Sequence, residues 1–139
     1  MTTLYQTYRN GIKAALIATP GLGAQVETST LRAFTRSETA LVLHSGKEFV
    51  SDDGPIGCAT RVRELLCSAQ TAGDARDDVA ESIFEAALPV ILGYAAAGLV
   101  SIQEAGTDEP KYVPGDLGRM IVTKRFLLTY QTRENSLSE

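Results

Sequence analysis

The sequence predicts one soluble α+β domain, and three observations lead there. The chain has 139 residues, the size of a single ordinary domain. Two segments, Leu4–Thr19 and Asp74–Leu88, space their apolar residues as helices do, whereas Met120–Thr132 alternates with the period of a strand. The composition, 44% hydrophobic and 22% charged, is average for a globular protein.

The first helix is predicted over Leu4–Thr19. Tyr5, Tyr8, Ile12, Ala15 and Leu16 form one apolar stripe, Thr3 can cap the start, and Pro20-Gly21 stops the helix. Gly11 inside it costs about 1 kcal/mol against Ala, so packing must hold this helix. A short strand is expected within Val26–Phe34. A better one covers Thr39–His44, whose nearly continuous apolar residues suit burial on both faces. Lys47–Gly57, with Ser51-Asp52-Asp53-Gly54-Pro55, has the composition of an exposed loop.

Ala59–Ala69 stays open between helix and strand. Val62, Leu65, Leu66 and Ala69 fit a helical stripe, while Arg61, Arg63, Leu65, Cys67 and Ala69 would share one face of a strand. The second helix begins at Asp74 as N-cap, with Asp77, Asp78 and Glu81 near the positive end of its dipole. Pro89 ends or kinks it, and a further turn or two is expected to run to Ala97 before Gly98 closes it. Leu99–Glu104 reads as a strand and Ala105–Gly118 as a long loop. In Met120–Thr132, Met120, Val122, Phe126, Leu128 and Tyr130 take one face, interrupted only by Lys124. The domain is thus expected over 1–132, with 133–139 a flexible polar tail.

Composition and motifs exclude more than they assign. Thirteen Lys and Arg against seventeen Asp and Glu give a net charge of −4, which argues against nucleic acid or anionic membrane as the main partner. The longest mainly apolar stretch, Ala86–Val100, is too short and too broken to span a bilayer, and no signal peptide is evident. His44 beside Ser45 is no triad without an orienting carboxylate, so no catalytic residue is assigned. Cys58 and Cys67 are too few for a closed zinc site and read as structural thiols; no metal ligand and no cofactor is expected. Gly21-Leu22-Gly23 follows a helix, where a dinucleotide fingerprint needs a strand. Asp52-Asp53-Gly54 lacks the downstream ligands of a calcium loop. A site built from Tyr5, Tyr8 and nearby carboxylates is the form that an enzyme or ligand-binding domain would take here.

Charge is unevenly placed. Residues 1–73 hold seven basic and six acidic side chains, and residues 74–139 hold six and eleven. The acidic excess gathers in Asp74, Asp77, Asp78, Glu81 and Glu85, one wall of the second helix, and Arg61, Arg63, Lys124 and Arg125 supply basic counterparts on strands. Such matching suits a contact between copies of the chain.

The order of elements resembles that of the tail terminator (minor tail, tail completion) proteins of lambda-type long-tailed bacteriophages and their prophages. The similar pieces are the opening helix closed by Pro20-Gly21-Leu22, then Leu31-Arg32-Ala33-Phe34, and the strand Ala40-Leu41-Val42-Leu43 running to Gly46-Lys47-Glu48. They continue with Thr60-Arg61-Val62-Arg63-Glu64-Leu65-Leu66-Cys67, the helix Asp74–Leu88, and Arg125-Phe126-Leu127-Leu128-Thr129-Tyr130-Gln131-Thr132. The resemblance implies a strand at Ala59–Ala69 and a small mixed or antiparallel sheet packed against two main helices. It implies a protein without enzymatic activity that caps the tail tube as a ring, commonly a hexamer, and offers a surface for head joining. Its partners would be further copies, the tail tube protein and the head–tail connector, with no membrane and no specific nucleic acid. It would reside in the virion tail, assembled in the host bacterial cytoplasm. The acidic wall and its basic counterparts would then meet between neighbours, and the loops carrying Lys47, Asp52 and Asp53, and Lys111 and Tyr112, would touch tube and connector. A head–tail joining or tube-like component shares this size and layout.

Overall fold

Thr3 starts the fold as expected. Its hydroxyl accepts the Gln6 N–H while the Gln6 side chain accepts the Thr3 N–H, a reciprocal capping box that opens helix α1, Leu4–Ile17. The computed structural model describes residues 2–21, 26–27, 39–51, 55–72, 76–112, 119–133 and 135–137. After α1 come β1 (Val26–Glu27), β2 (Ala40–Ser51), β3 (Cys58–Thr71), helix α2 (Arg76–Leu92), β4 (Leu99–Thr107), β5 (Lys111–Tyr112) and β6 (Met120–Arg133). This is an α+β fold, a mixed sheet against two main helices. The strands run in the order β1-β2-β3-β6-β4, with β5 also on β6, and every pairing but the parallel β1–β2 is antiparallel.

Both helices lie on one face of the sheet. β6 buries Met120, Val122, Phe126, Leu128 and Tyr130 on that face, as its alternation predicts, and β3 adds Leu65, Cys67 and Ala69. α1 contributes Tyr5, Tyr8, Ile12 and Leu16, and α2 contributes Ala80, Ile83, Phe84, Ala87 and Ile91. The Tyr8 and Tyr130 rings meet edge to face at 5.5 Å, and the Tyr8 hydroxyl donates to the Ala97 carbonyl at 2.9 Å. Gly11 lies where the connection after α2 crosses α1: a methyl group there would overlap the Tyr94 ring and hydroxyl. The packing that α1 needs is therefore a close approach that only glycine permits.

β3 is central, paired with β2 on one side and over all fourteen residues with β6 on the other. That agrees with the strand implied for Ala59–Ala69. β2 buries Ala40, Leu41 and Val42 in succession, as the apolar run predicts. It then bulges, with Gly46 and Lys47 standing opposite Glu64 alone. A Cβ at Gly46 would lie 2.8 Å from the Glu64 Cβ, so glycine is what lets the bulge close.

Three differences from the sequence reading stand out. β2 continues to Ser51, so Lys47 is on a strand where a loop was expected. β4 continues to Thr107 and Lys111–Tyr112 pairs with β6, shortening the expected second loop. α2 passes through Pro89 and ends at Leu92, where the Gly93 N–H bonds the Pro89 carbonyl, without helix to Ala97. At the C-terminus the Leu137 carbonyl accepts the Leu4 N–H at 3.0 Å, tying this part of the polar tail to α1. Asp52, Asp53, Asp74, Leu22-Gly23 and Leu31–Phe34 lie outside the described residues. Among the described residues no helix is long and apolar enough to cross a membrane.

Candidate interaction surfaces

Asp77 and Asp78 occupy the first turn of α2, and with Glu81 and Glu85 they are exposed. Buried Ala80, Phe84 and Ala87 fix the rotation of the helix, so these carboxylates form the wall expected from the sequence. The wall borders a cleft of about 490 Å³ that also takes in Phe84, Leu88 and Lys124. The opposite side of α2, at Val79 and Ala86, lines a separate cleft with Pro20 and Gly21 after α1. Asp78 borders both clefts, whereas Glu81 and Glu85 border only the one away from Pro20 and Gly21.

The predicted basic counterparts are scattered and engaged within the chain. Arg61 is buried, donating from Nε to Thr132 Oγ1 at 2.8 Å and pairing with Glu48 at 3.8 Å. Arg63 stacks its guanidinium 4.6 Å from the Tyr5 ring centre. Lys124, the interruption in the apolar face of β6, reaches Glu104 at 3.3 Å and Thr107 at 2.8 Å and lies 5.3 Å from the Phe84 ring centre. Arg125 is on the other face of the sheet. It holds Asp108 through two bonds of 2.8 and 2.9 Å and Glu64 through one of 3.0 Å. This bidentate grip holds the Asp108 carboxyl below its ordinary range. The structure thus brings Lys124 beside the acidic wall of its own chain and leaves the other three elsewhere.

The sheet face away from the helices carries a short polar relay. His44 Nε2 lies 2.9 Å from Ser68 Oγ, which lies 2.8 Å from Thr123 Oγ1, and burial lowers the His44 pKa. The Ser68 hydroxyl, itself bonded to Thr123, orients this imidazole. Cys58 and Cys67 are unpaired, and burial pushes the Cys67 thiol up to about 12. Among the described residues no group of three His, Cys, Asp or Glu side chains is placed to hold a metal. At the far end of β2 and β3, Phe49 (54% exposed), Val50 (58%) and the fully exposed Ile56 give the hairpin an apolar surface. Lys111 and Tyr112 are exposed on β5.

No protein-family model matches the chain, and no curated protein sequence does. Solved structures do. One chain of the virion of a native gene transfer agent (GTA) particle superposes with a TM-score of 0.63 at 18% identity, over 87% of this chain and 92% of that one. The likeness is one of fold, and it spans nearly the whole of both chains.

Two cations escaped the sequence reading. Arg9 and Lys13 stand one turn apart on α1, on the side turned towards β2, and Arg9 reaches Ser45 at 3.5 Å. The signal for them was the four-residue spacing beside the apolar stripe, which puts both on one flank of the helix.

Proposed function

We propose that the chain is a structural protein of a phage-like particle. Within such a particle its role is that of a tail terminator, closing the tail tube as a ring of copies, ending its polymerisation and presenting a surface for head joining. It acts by binding and catalyses no reaction. The observation that carries this reading is the fold likeness, over 87% of the chain, to a chain of a gene transfer agent virion. The order of elements, with its resemblance to tail terminators, supports the finer role. The exposed Phe49, Val50 and Ile56 supply the apolar area that a tube or connector protein would cover.

Electron microscopy of particles made without this protein tests the role. Tubes of uncontrolled length without heads are expected. Tubes of normal length that lack heads would make it a joining component instead, and normal tubes with heads attached would overturn both.

A further inference from the structure

The two flanks of the molecule carry opposite charge, and one of them holds a cleft with two arginines. Between α1 and β2 lies a cleft of about 240 Å³ lined by Tyr5, Arg9, Ser45, Glu48, Arg63 and Tyr130. Both guanidinium groups lean on one ring, with Arg63 at 4.6 Å and Arg9 at 6.0 Å from the centre of Tyr5. Glu48, the carboxylate in the cleft, is already taken. It accepts the Tyr130 hydroxyl at 3.0 Å and pairs with Arg61 on its other oxygen. Arg63 Nε is buried with no hydrogen-bond partner, and neither Arg9 nor Arg63 has an ion-pair partner among the described residues. Lys13 extends this positive flank one turn along α1. The Arg63 Nε is closed off inside the chain, so a carboxylate from outside would be met by the terminal nitrogens of the two guanidinium groups.

Exposed carboxylates stand on the other flank of the same molecule. Glu81 and Glu85 line only the cleft on the side of α2 turned away from Pro20 and Gly21, so one copy cannot close the pair on itself. We propose that the Arg9–Arg63 cleft receives carboxylates from the α2 wall of a second copy, joining copies head to tail. Two different surfaces meet, so the contact repeats from copy to copy and closes into a ring when the rotation permits. Arginine suits this role, since its fork holds a carboxylate through two bonds while its plane stacks on Tyr5. The proposal deepens the reading of the chain as a ring-forming cap and rests on it, by naming where neighbours touch.

Sedimentation velocity on the full chain, up to about 1 mM protein and at about 50 and 500 mM salt, tests the contact. The wild type is expected to self-associate and to do so less at the higher salt. Arg9→Glu with Lys13→Glu, or Glu81→Lys with Glu85→Lys, is expected to weaken association at least about tenfold. All four sites lie on the helix flanks outside the core, and circular dichroism checks that each variant is folded. Mixing the two double variants should restore assembly, because each then meets a complementary flank. A wild type that stays monomeric throughout, reversals without effect, or a mixture that stays apart would each overturn the contact. Arg9→Glu with Lys13→Glu that loses binding to duplex DNA while self-association is unchanged would also overturn it and reassign the cleft to phosphate. Failure here leaves the tail-length experiment standing, and normal tails without the protein would overturn the cap while leaving the contact intact.

Discussion

His44 is held between two demands. The Ser68 hydroxyl at 2.9 Å gives its neutral ring a partner, while burial, and secondarily the positive charge of Arg125, disfavour the imidazolium. Its folded pKa is therefore below that of the unfolded chain, and the unfolded state binds more protons as the solution is acidified. The stability contributed by the neutral ring is complete above about pH 6.5 and is lost as pH falls towards and through the lowered folded value. Thermal unfolding at pH 7 and pH 5 should show a drop for the wild type and a smaller one for His44→Asn, which keeps a side chain able to bond Ser68. An equal drop in both would assign the loss to other groups. Asp108 acts in the same direction at lower pH, because its grip by Arg125 lowers its pKa and is lost as the carboxylate protonates.

At the scale of elements, what the sequence revealed depended on whether each face of a strand had one kind of neighbour. β6 was legible because helices cover one face, so Met120 to Tyr130 alternate with only Lys124 interrupting. β3 was not. Arg61 and Arg63 sit on its helix-side face, Arg61 held by Glu48 and Thr132 and Arg63 stacked on Tyr5, while Val62 and Leu66 face the other way. Charges among the inward positions erase the period of two, so the resemblance and not the pattern named this strand. The acidic wall was legible from helical spacing, but the engagement of Lys124 and Arg125 within the chain was not, because the ion pairs Arg125–Asp108 and Lys124–Glu104 join residues far apart in sequence. The bulge in β2 left a trace in Gly46, just before the expected loop Lys47–Gly57, and Gly46 is the point where Glu64 crowds the backbone. Gly46→Ala should cost about 1–2 kcal/mol in a denaturant titration by displacing Glu64 and with it the contact to Arg125. An unchanged midpoint would mean that the strand shifts freely there.

For the whole molecule, the fold separates two kinds of surface. The flanks carry charge, basic beside β2 and acidic beyond α2, and the end of the β2–β3 hairpin carries apolar side chains. Val50→Ser with Ile56→Ser should leave stability within about 0.5 kcal/mol, since neither residue is buried, yet should prevent incorporation into particles. Variant particles with normal tails would exclude the hairpin as a docking point. The outer strand β4 has a further consequence. Its register against β6 slips twice, at Leu99/Ser101 and at Glu104/Gly106, and Gly106 adopts a φ of 133°. A strand arriving from another copy would find no straight row of amides to follow, so ladder growth from edge to edge, the route to amyloid-like fibres, is interrupted within a few residues. At this edge, order between copies must come from side chains.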